Sequence, residues 1–345
     1  MIALLIAASV STVIALLGTA WLIPWLQAHG VGQPIRVEGP AGHHTKAGTP
    51  TMGGVMIVIA AAIGWTAAHA RGGVIFTRGG LAVMVAIVGA GIVGLLDDWI
   101  KVTNARNLGL NKRAKLIGLT IVALLFAFIA TELGGVDTSI SFTRVAQADI
   151  DLSQLGWAIW ALLVILGSAN AVNLTDGLDG LAGGAAAFVF TTYVVITFWA
   201  FRNPDTYQIP QALDLAVISA AMAGGCVGFL WWNAPPARIF MGDAGSLAVG
   251  TGVAGLALVS KTDLLLPIVG GLFVLETLSV IVQVGSFRFV GGRRPLRMAP
   301  IHHHFELLGW PETTVLIRFW IFNALANVVG LGLYYADFIS TGAID

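Results

Sequence analysis

Two adjacent carboxylates, Asp97 and Asp98, follow directly on the apolar run Gly79–Leu96. Holding even one charge at the depth of a membrane span costs roughly 2.5–3.5 kcal/mol on insertion scales, so a pair needs a cation or a proton between them. Lys101, one helical turn later, supplies part of that compensation. An ordinary polar span end is the alternative for this pair taken alone. A second group, Asn173, Asp176 and Asp179, recurs at intervals of three in NAVNLTDGLDGLAGG. On a helical turn these oxygens share one face, and Gly177, Gly180, Gly183 and Gly184 let backbone or ligand come close. The same residue types also build Asx turns and helix caps.

In WWNAPPARIFMGDAGS, Pro235 and Pro236 break the preceding helix, and Gly242-Asp243-Ala244-Gly245 opens the next apolar run. Asp243 is therefore expected near a helix N-terminus, beside amide donors that favour anions, where it is equally suited to be a plain N-cap. Its company on one face with Asp97 and Asp98 favours magnesium, which takes one or two carboxylates together with phosphate oxygens and water. The last polar stretch holds His302, His303 and His304 in a row after the basic cluster Arg288–Arg297. Adjacent side chains point in different directions on any regular element, which argues against a zinc site from this tripeptide. One or two of the imidazoles instead suit a phosphate contact or a proton transfer, with interfacial polarity as the plainer reading. His43, His44, Lys46 and Thr51 in the first stretch are basic and hydroxyl groups fit for an anionic ligand. Carboxylates for a divalent cation, cations for phosphates, and no serine or cysteine nucleophile motif make up the inventory of a phosphoryl transferase. There is no glycine-rich phosphate loop ending in Lys-Ser/Thr, which argues against ATP hydrolysis.

The elements that must hold these side chains are membrane spans. Hydrophobic residues form 57% of the 345 and charged residues only 10%, with a mean hydropathy of +0.86, which excludes an ordinary soluble domain. Apolar runs of span length fall near residues 1–26, 51–70, 78–96, 115–134, 155–172, 181–201, 212–232, 246–260, 264–285 and 313–336. The reading is an all-α polytopic membrane protein of about ten transmembrane helices, in one domain covering 1–345. The eighth run is short and glycine-rich, so it is expected to be tilted, thinned or partly re-entrant. Met1–Trp25 lacks a basic n-region and reads as a retained first span rather than a cleaved leader. Cys226 is the sole cysteine, which rules out an intrachain disulfide.

The polar stretches Gln27–Pro50, Asp97–Lys115, Asn173–Gly180, Asn233–Gly245 and Ser286–Glu312 are each separated by sequence for two crossings. An even number of crossings returns the chain to the same face, so all five meet at one membrane surface. These stretches carry most of the lysine and arginine, whereas the opposite loops hold Arg71, Arg78, Arg144, Arg202 and Lys261. By the positive-inside bias the motif face is cytoplasmic and both termini lie outside. Trp21, Trp25, Trp99, Trp157, Trp199, Trp231 and Trp232 sit near span ends and read as interfacial anchors. The alternation in Ser139–Val145 fits a short strand or hairpin on the outer surface.

KAGTPTMGG, GLLDDWIK, NAVNLTDGLDGLAGG, NAPPARIFMGDAGSLA and PIHHHFE, in this order along essentially the whole chain, resemble the phospho-N-acetylmuramoyl-pentapeptide-transferases. These belong to the polyprenyl-phosphate N-acetylhexosamine-1-phosphate transferase superfamily. The Asp-Asp, Asn-x-x-Asp-Gly and Gly-Asp-x-Gly elements indicate the superfamily, and the triple histidine selects the branch. The resemblance implies transfer of phospho-MurNAc-pentapeptide from UDP-MurNAc-pentapeptide to undecaprenyl phosphate in the bacterial inner membrane, giving lipid I and UMP with Mg2+. Carried over by motif, Asp243 looks like the magnesium ligand, and Asp97 and Asp98 like the pair handling the lipid phosphate or its proton. With His302 these make the candidate catalytic set. Asn173 and Asp176 look like nucleotide-sugar contacts, and Asp179 and Phe240 like a uridine pocket. Lys46, Thr51, Lys101, Asn233 and His303 complete the polar shell. Partners are then the two substrates and the bilayer, with no nucleic acid, and a homodimer is an expectation.

Two mechanisms stay open at this level: direct attack by the polyprenyl phosphate with Asp97 as proton acceptor, or a covalent phospho-sugar carboxylate formed first. The nearest rival activity is transfer of GlcNAc-1-phosphate to the same lipid. From another class, a transporter also places acidic residues in broken spans, but here the polar groups cluster at one face.

Overall fold

A computed structural model describes residues 1–32, 48–70, 76–103, 109–144 and 150–341. The chain folds as helices: α1 (Ile2–Ala28), α2 (Gly54–His69), α3 (Arg78–Thr103), α4 (Lys112–Phe128, running on as a π turn Ile129–Leu133), α5 (Ser153–Thr175), α6 (Leu181–Arg202), α7 (Pro204–Tyr207), α8 (Ala212–Asn233), α9 (Gly242–Val259), α10 (Leu266–Val269), α11 (Gly271–Phe289), α12 (Ile301–Leu307) and α13 (Glu312–Ser340). Among the described residues nine helices are long and apolar enough to cross a membrane, and α2, at 16 residues, is a shorter apolar helix. This is a polytopic membrane protein, and the ten apolar runs of the sequence each correspond to one of these ten helices.

Apolar side chains drive no helix association within lipid, so the bundle depends on close packing. The innermost element is α9, whose residues are mostly small (Gly, Ala, Ser, Val) and almost all buried. It packs against α3 and α5, while α1, α2, α6 and α8 form the adjoining group. Large apolar side chains such as Leu5, Leu17, Ile321 and Leu325 on α1 and α13 are left exposed on the outside of the bundle, as surfaces that lipid covers are.

Three expectations are corrected here. The eighth span is a full 18-residue helix that begins at Gly242, four residues before the apolar run, and so includes Asp243. The ninth run, whose course the sequence leaves open, is interrupted at Gly270 between α10 and α11. Trp157 is no interfacial anchor: it is fully buried and stacks on Phe126 at 6.0 Å. In place of an outer hairpin the described residues have no strand, only one antiparallel bridge between Ser139 and Asp151; Val145 lies outside them.

Candidate functional site

The site forms where the C-terminal part of α3 meets the N-terminus of α9. Because α3 continues past its apolar run to Thr103, Asp97, Asp98 and Lys101 fall on one helical turn. Lys101 Nζ lies 2.6 Å from Asp97 Oδ2, 3.5 Å from Asp98 Oδ1 and 3.0 Å from Asp243 Oδ2. Lys115, in the first turns of α4, bonds the same Asp243 oxygen and sits 3.8 Å from Asp97 Oδ1. The remaining oxygens are held by neutral donors. Leu110 N–H donates to Asp97 Oδ1 (3.0 Å), Ala244 N–H to Asp98 Oδ2 (3.0 Å), and Asn173 Nδ2 to Asp243 Oδ1 (2.7 Å). Close approach of the two helices needs Gly94, since a Cβ there would stand 2.1 Å from the Asp243 carbonyl oxygen.

The three aspartates are buried, and ligand atoms from each lie within 4.8 Å of one another, the one such group of potential metal-binding residues among those described. Among the described residues, three carboxylates face two ammonium groups, one more negative charge than positive. Hard oxygen donors carrying excess charge fit Mg2+. Both lysine side chains keep over a fifth of their surface exposed, so each ammonium reaches inward from the water side and can be displaced by a metal or a substrate phosphate without unfolding a helix.

The stretch around Asn233–Gly245 ties the other motifs together. Phe240 N–H donates to the Pro50 carbonyl (2.8 Å), and Gly53 and Gly54 N–H donate to the carbonyls of Phe240 and Met241 (2.9 Å each). This brings Thr51 beside Asp98 at Gly242, where a Cβ would meet both side chains. The Phe240 ring stays partly exposed above this junction. Asn233 is buried and works as a clamp, accepting from Gly180 N–H (3.1 Å) and donating to the Ile239 carbonyl (2.9 Å). Asp179 Oδ2 accepts from Ala237 N–H (2.9 Å), and Asp179 N–H donates to Glu312 Oε1 (3.1 Å).

The shared helical face expected for Asn173, Asp176 and Asp179 is not formed. Helix α5 ends at Thr175, Asp176 is its cap, and Asp179 lies in the turn that Gly180, at φ +79°, closes in a left-handed conformation. Asn173 and Asp176 both face the start of α9, Asn173 at Asp243 and Asp176 at the Gly242 amide, whereas Asp179 turns away to the Pro235–Ala237 turn. Removal from water pushes the Asp176 carboxyl up to about 8; Asp243 and Asp98 add to the effect, and the Gly242 amide opposes it.

The three histidines of α12 have different partners, although the His302 and His303 rings touch edge to face with centroids 4.1 Å apart. His302 is fully buried with Nδ1 3.1 Å from Glu276 Oε2, His303 Nδ1 lies 2.7 Å from Glu306 Oε2, and His304 Nδ1 accepts from Arg297 N–H (3.1 Å). Lys46, His43 and His44 lie outside the described residues. Lys115, on the acidic cluster, and Glu276, buried behind His302, are groups missed from sequence. Lys115 is hidden in a basic run that positive-inside bias already explains. Glu276 carried a usable signal, a lone acid inside an apolar span.

The glycosyl transferase family 4 model matches residues 80–261, the stretch running from the start of α3 to just beyond α9. With the fold, that match defines the class, a glycosyl transferase built into a membrane. Signature 1 of the phospho-N-acetylmuramoyl-pentapeptide-transferases matches residues 46–58. Proteins bearing that name are similar along their whole length. The Frankia alni protein is 49% identical, with 98% of both chains covered. Those of Kineococcus radiotolerans and Cutibacterium acnes are each 47% identical, covering 98% of this chain and 99% of theirs. The chain belongs to the phospho-N-acetylmuramoyl-pentapeptide-transferase family.

Proposed function

We propose that this protein, acting as one domain, transfers phospho-MurNAc-pentapeptide from UDP-MurNAc-pentapeptide to undecaprenyl phosphate at the cytoplasmic face of the inner membrane, giving lipid I and UMP. The observation that carries the reading is the cluster of Asp97, Asp98 and Asp243 with Lys101 and Lys115, in a chain of this family. Asp243 is assigned as the Mg2+ ligand, with Asp97 and Asp98 within reach of the same ion. Bound there, Mg2+ supplies charge neutralisation on the diphosphate.

The protein's own groups do the rest. Asp97 accepts the proton of the lipid phosphate, its carboxylate oriented by Leu110 N–H and Lys101. An oxygen of that phosphate forms a bond to the sugar-linked phosphorus. The bond from this phosphorus to the bridging oxygen breaks, and UMP leaves with the electron pair. Lys101 and Lys115 offset charge on the phosphates as they arrive. Asn173, beside Asp243 and Ser246, and Asp176 contact the nucleotide sugar. Phe240 stacks on the uracil, with Asp179 in the same pocket. Thr51, Asn233, His302 and His303 shape the polar shell, to which Lys46 belongs by motif. The excess of lysine and arginine in the motif loops supports the cytoplasmic placement.

The test is UMP release by purified protein given UDP-MurNAc-pentapeptide and undecaprenyl phosphate, with and without Mg2+. Release that stops on chelation and resumes on adding Mg2+ is expected. Release with UDP-GlcNAc in place of the muramoyl substrate would reassign the sugar, and magnesium-independent release would remove the metal role. A trapped phospho-aspartate, or exchange of UMP into UDP-sugar without lipid, would replace direct attack by the two-step route.

A further inference from the structure

Glu276 sits within α11 with no exposed surface, and His302 faces it from α12, also with no exposed surface. His302 Nδ1 is 3.1 Å from Glu276 Oε2. Among the described residues neither carboxylate oxygen has another hydrogen-bonding or ionic partner. A buried carboxylate held by one contact is expensive to keep, so a structural purpose alone would be better served by an apolar side chain. The neighbouring turn of α11 reinforces the pairing: Ser279 Oγ accepts from Ile301 N–H (3.0 Å) and donates to the Glu276 carbonyl (2.6 Å). Two posts on α11, one polar and one charged, thus fix where α12 starts and how its first histidine is turned.

Nδ1 is on the carboxylate's side of the ring, at contact distance and without an aligned hydrogen bond, and Nε2 is on the far side. It meets Gly177 so closely that a Cβ at that residue would stand 2.3 Å from Nε2. Gly177 is the centre of the turn carrying Asp176 and Asp179. The imidazole is therefore a wedge between α11 and this turn, and its orientation is set from behind, by Glu276. Carboxylate partners fix ring orientation and tautomer in this way wherever a histidine must present one particular nitrogen.

We infer that Glu276 is a positioning residue: it orients His302, and through His302 the Asp176–Asp179 turn, for the nucleotide sugar. This rests on the reading of that turn as the nucleotide-sugar contact. The test is a double-mutant cycle on UMP release, with Michaelis parameters for the UDP-sugar and thermal midpoints in detergent. Glu276→Gln keeps size and removes charge. It is expected to lower kcat/KM about tenfold, mostly through KM, with the midpoint near that of the wild type. His302→Ala should lower kcat/KM at least as far, and adding Glu276→Gln to it should change nothing more. Equal losses from Glu276→Gln in both backgrounds, or wild-type kinetics for Glu276→Gln beside an impaired His302→Ala, would overturn the inference while leaving the site intact. Wild-type kinetics for His302→Ala would instead remove the histidine from the site and sink the reading beneath it. Nitrogen-15 spectra of histidine-labelled wild-type protein give a check that needs no Glu276 variant. The His302 signals should show a protonated Nδ1, and a bare Nδ1 would refute the orientation.

Discussion

Buried carboxylates lie at both ends of α3, and they are used in opposite ways. At its beginning, Asp214 of α8 accepts at Oδ2 from Thr77 N–H and Thr77 Oγ1 (2.7 Å each) and at Oδ1 from Trp65 Nε1 (2.6 Å), with His69 Nε2 3.2 Å away. Among the described residues every donor there is neutral or a histidine, and the group ties α2, α3 and α8 to one another. About 30 Å along the helix, at 1.5 Å per residue, three carboxylates share two lysines that reach in from water. In the first, closed arrangement both carboxylate oxygens are met by aligned donors. The second, among the described residues, holds one more negative charge than positive, and its cations can be moved aside. Burial of an acid therefore does not mark a functional site by itself; unbalanced charge with displaceable partners does.

Substitution of Asp243 tests the open end most severely. Asp243→Asn removes one of the three carboxylates and should cut UMP release by at least about a hundredfold, the scale of losing a central electrostatic group, while the protein still inserts and folds. Near-normal turnover would mean that the excess charge has no catalytic use, and the contrast between the two ends would fail. Phe240 lies on the rim of the same end, its backbone pinned to Pro50 and Gly53 and its ring partly free. Phe240→Ala should raise KM for the UDP-sugar about tenfold, the low end of base-stacking energies, with a smaller change in kcat. A pure effect on kcat would take the ring out of uridine binding.

Much of the open end could be read from sequence because its chemistry is carried by residue types that an apolar chain does not otherwise tolerate. Asp97, Asp98 and Asp243 stood out for that reason, and Lys101 followed from the spacing of a helical turn. The even count of crossings brought the stretches to one surface without any knowledge of packing. What could not be read was decided by backbone events. The end of α5 at Thr175 depends on the turn through Gly180 and its Asn233 clamp, a contact fifty-three residues away in sequence. The early start of α9 depends on Gly242 at φ +72°, which no hydropathy window detects. Lys115 was indistinguishable from the other lysines and arginines of its loop until α4 placed it on Asp243. Asp214 and Glu276 look alike in sequence, each a single acid in a span, and only their partners separate the closed case from the one that touches the site.

Removing a cation sharpens the comparison more gently. Lys115→Met takes one positive charge from the acidic cluster, which makes it more negative by one charge. Mg2+ should then half-saturate the enzyme at a severalfold lower concentration, and turnover should fall severalfold as the charge offset on the phosphates is lost. A higher magnesium requirement would show that Lys115 organises the carboxylates and does not compete with the ion.

The smallest effect on activity is expected at the closed end, where it is most informative. Asp214→Asn keeps the shape of the side chain but leaves at most one oxygen to accept where two did, and it sets an NH2 group against either the Thr77 donors or the Trp65 indole. Losing hydrogen bonds to a charged acceptor in a buried position should destabilise the fold by about 1.5–3 kcal/mol, seen as a lower thermal midpoint and a lower yield. Turnover per folded molecule, counted by active-site titration with a tight-binding nucleotide-sugar analogue, should stay at the wild-type level, because nothing at that end touches the carboxylate cluster. Loss of turnover with an unchanged midpoint would show that the two ends of α3 communicate, and that a fully matched buried acid can serve the chemistry from across the bundle.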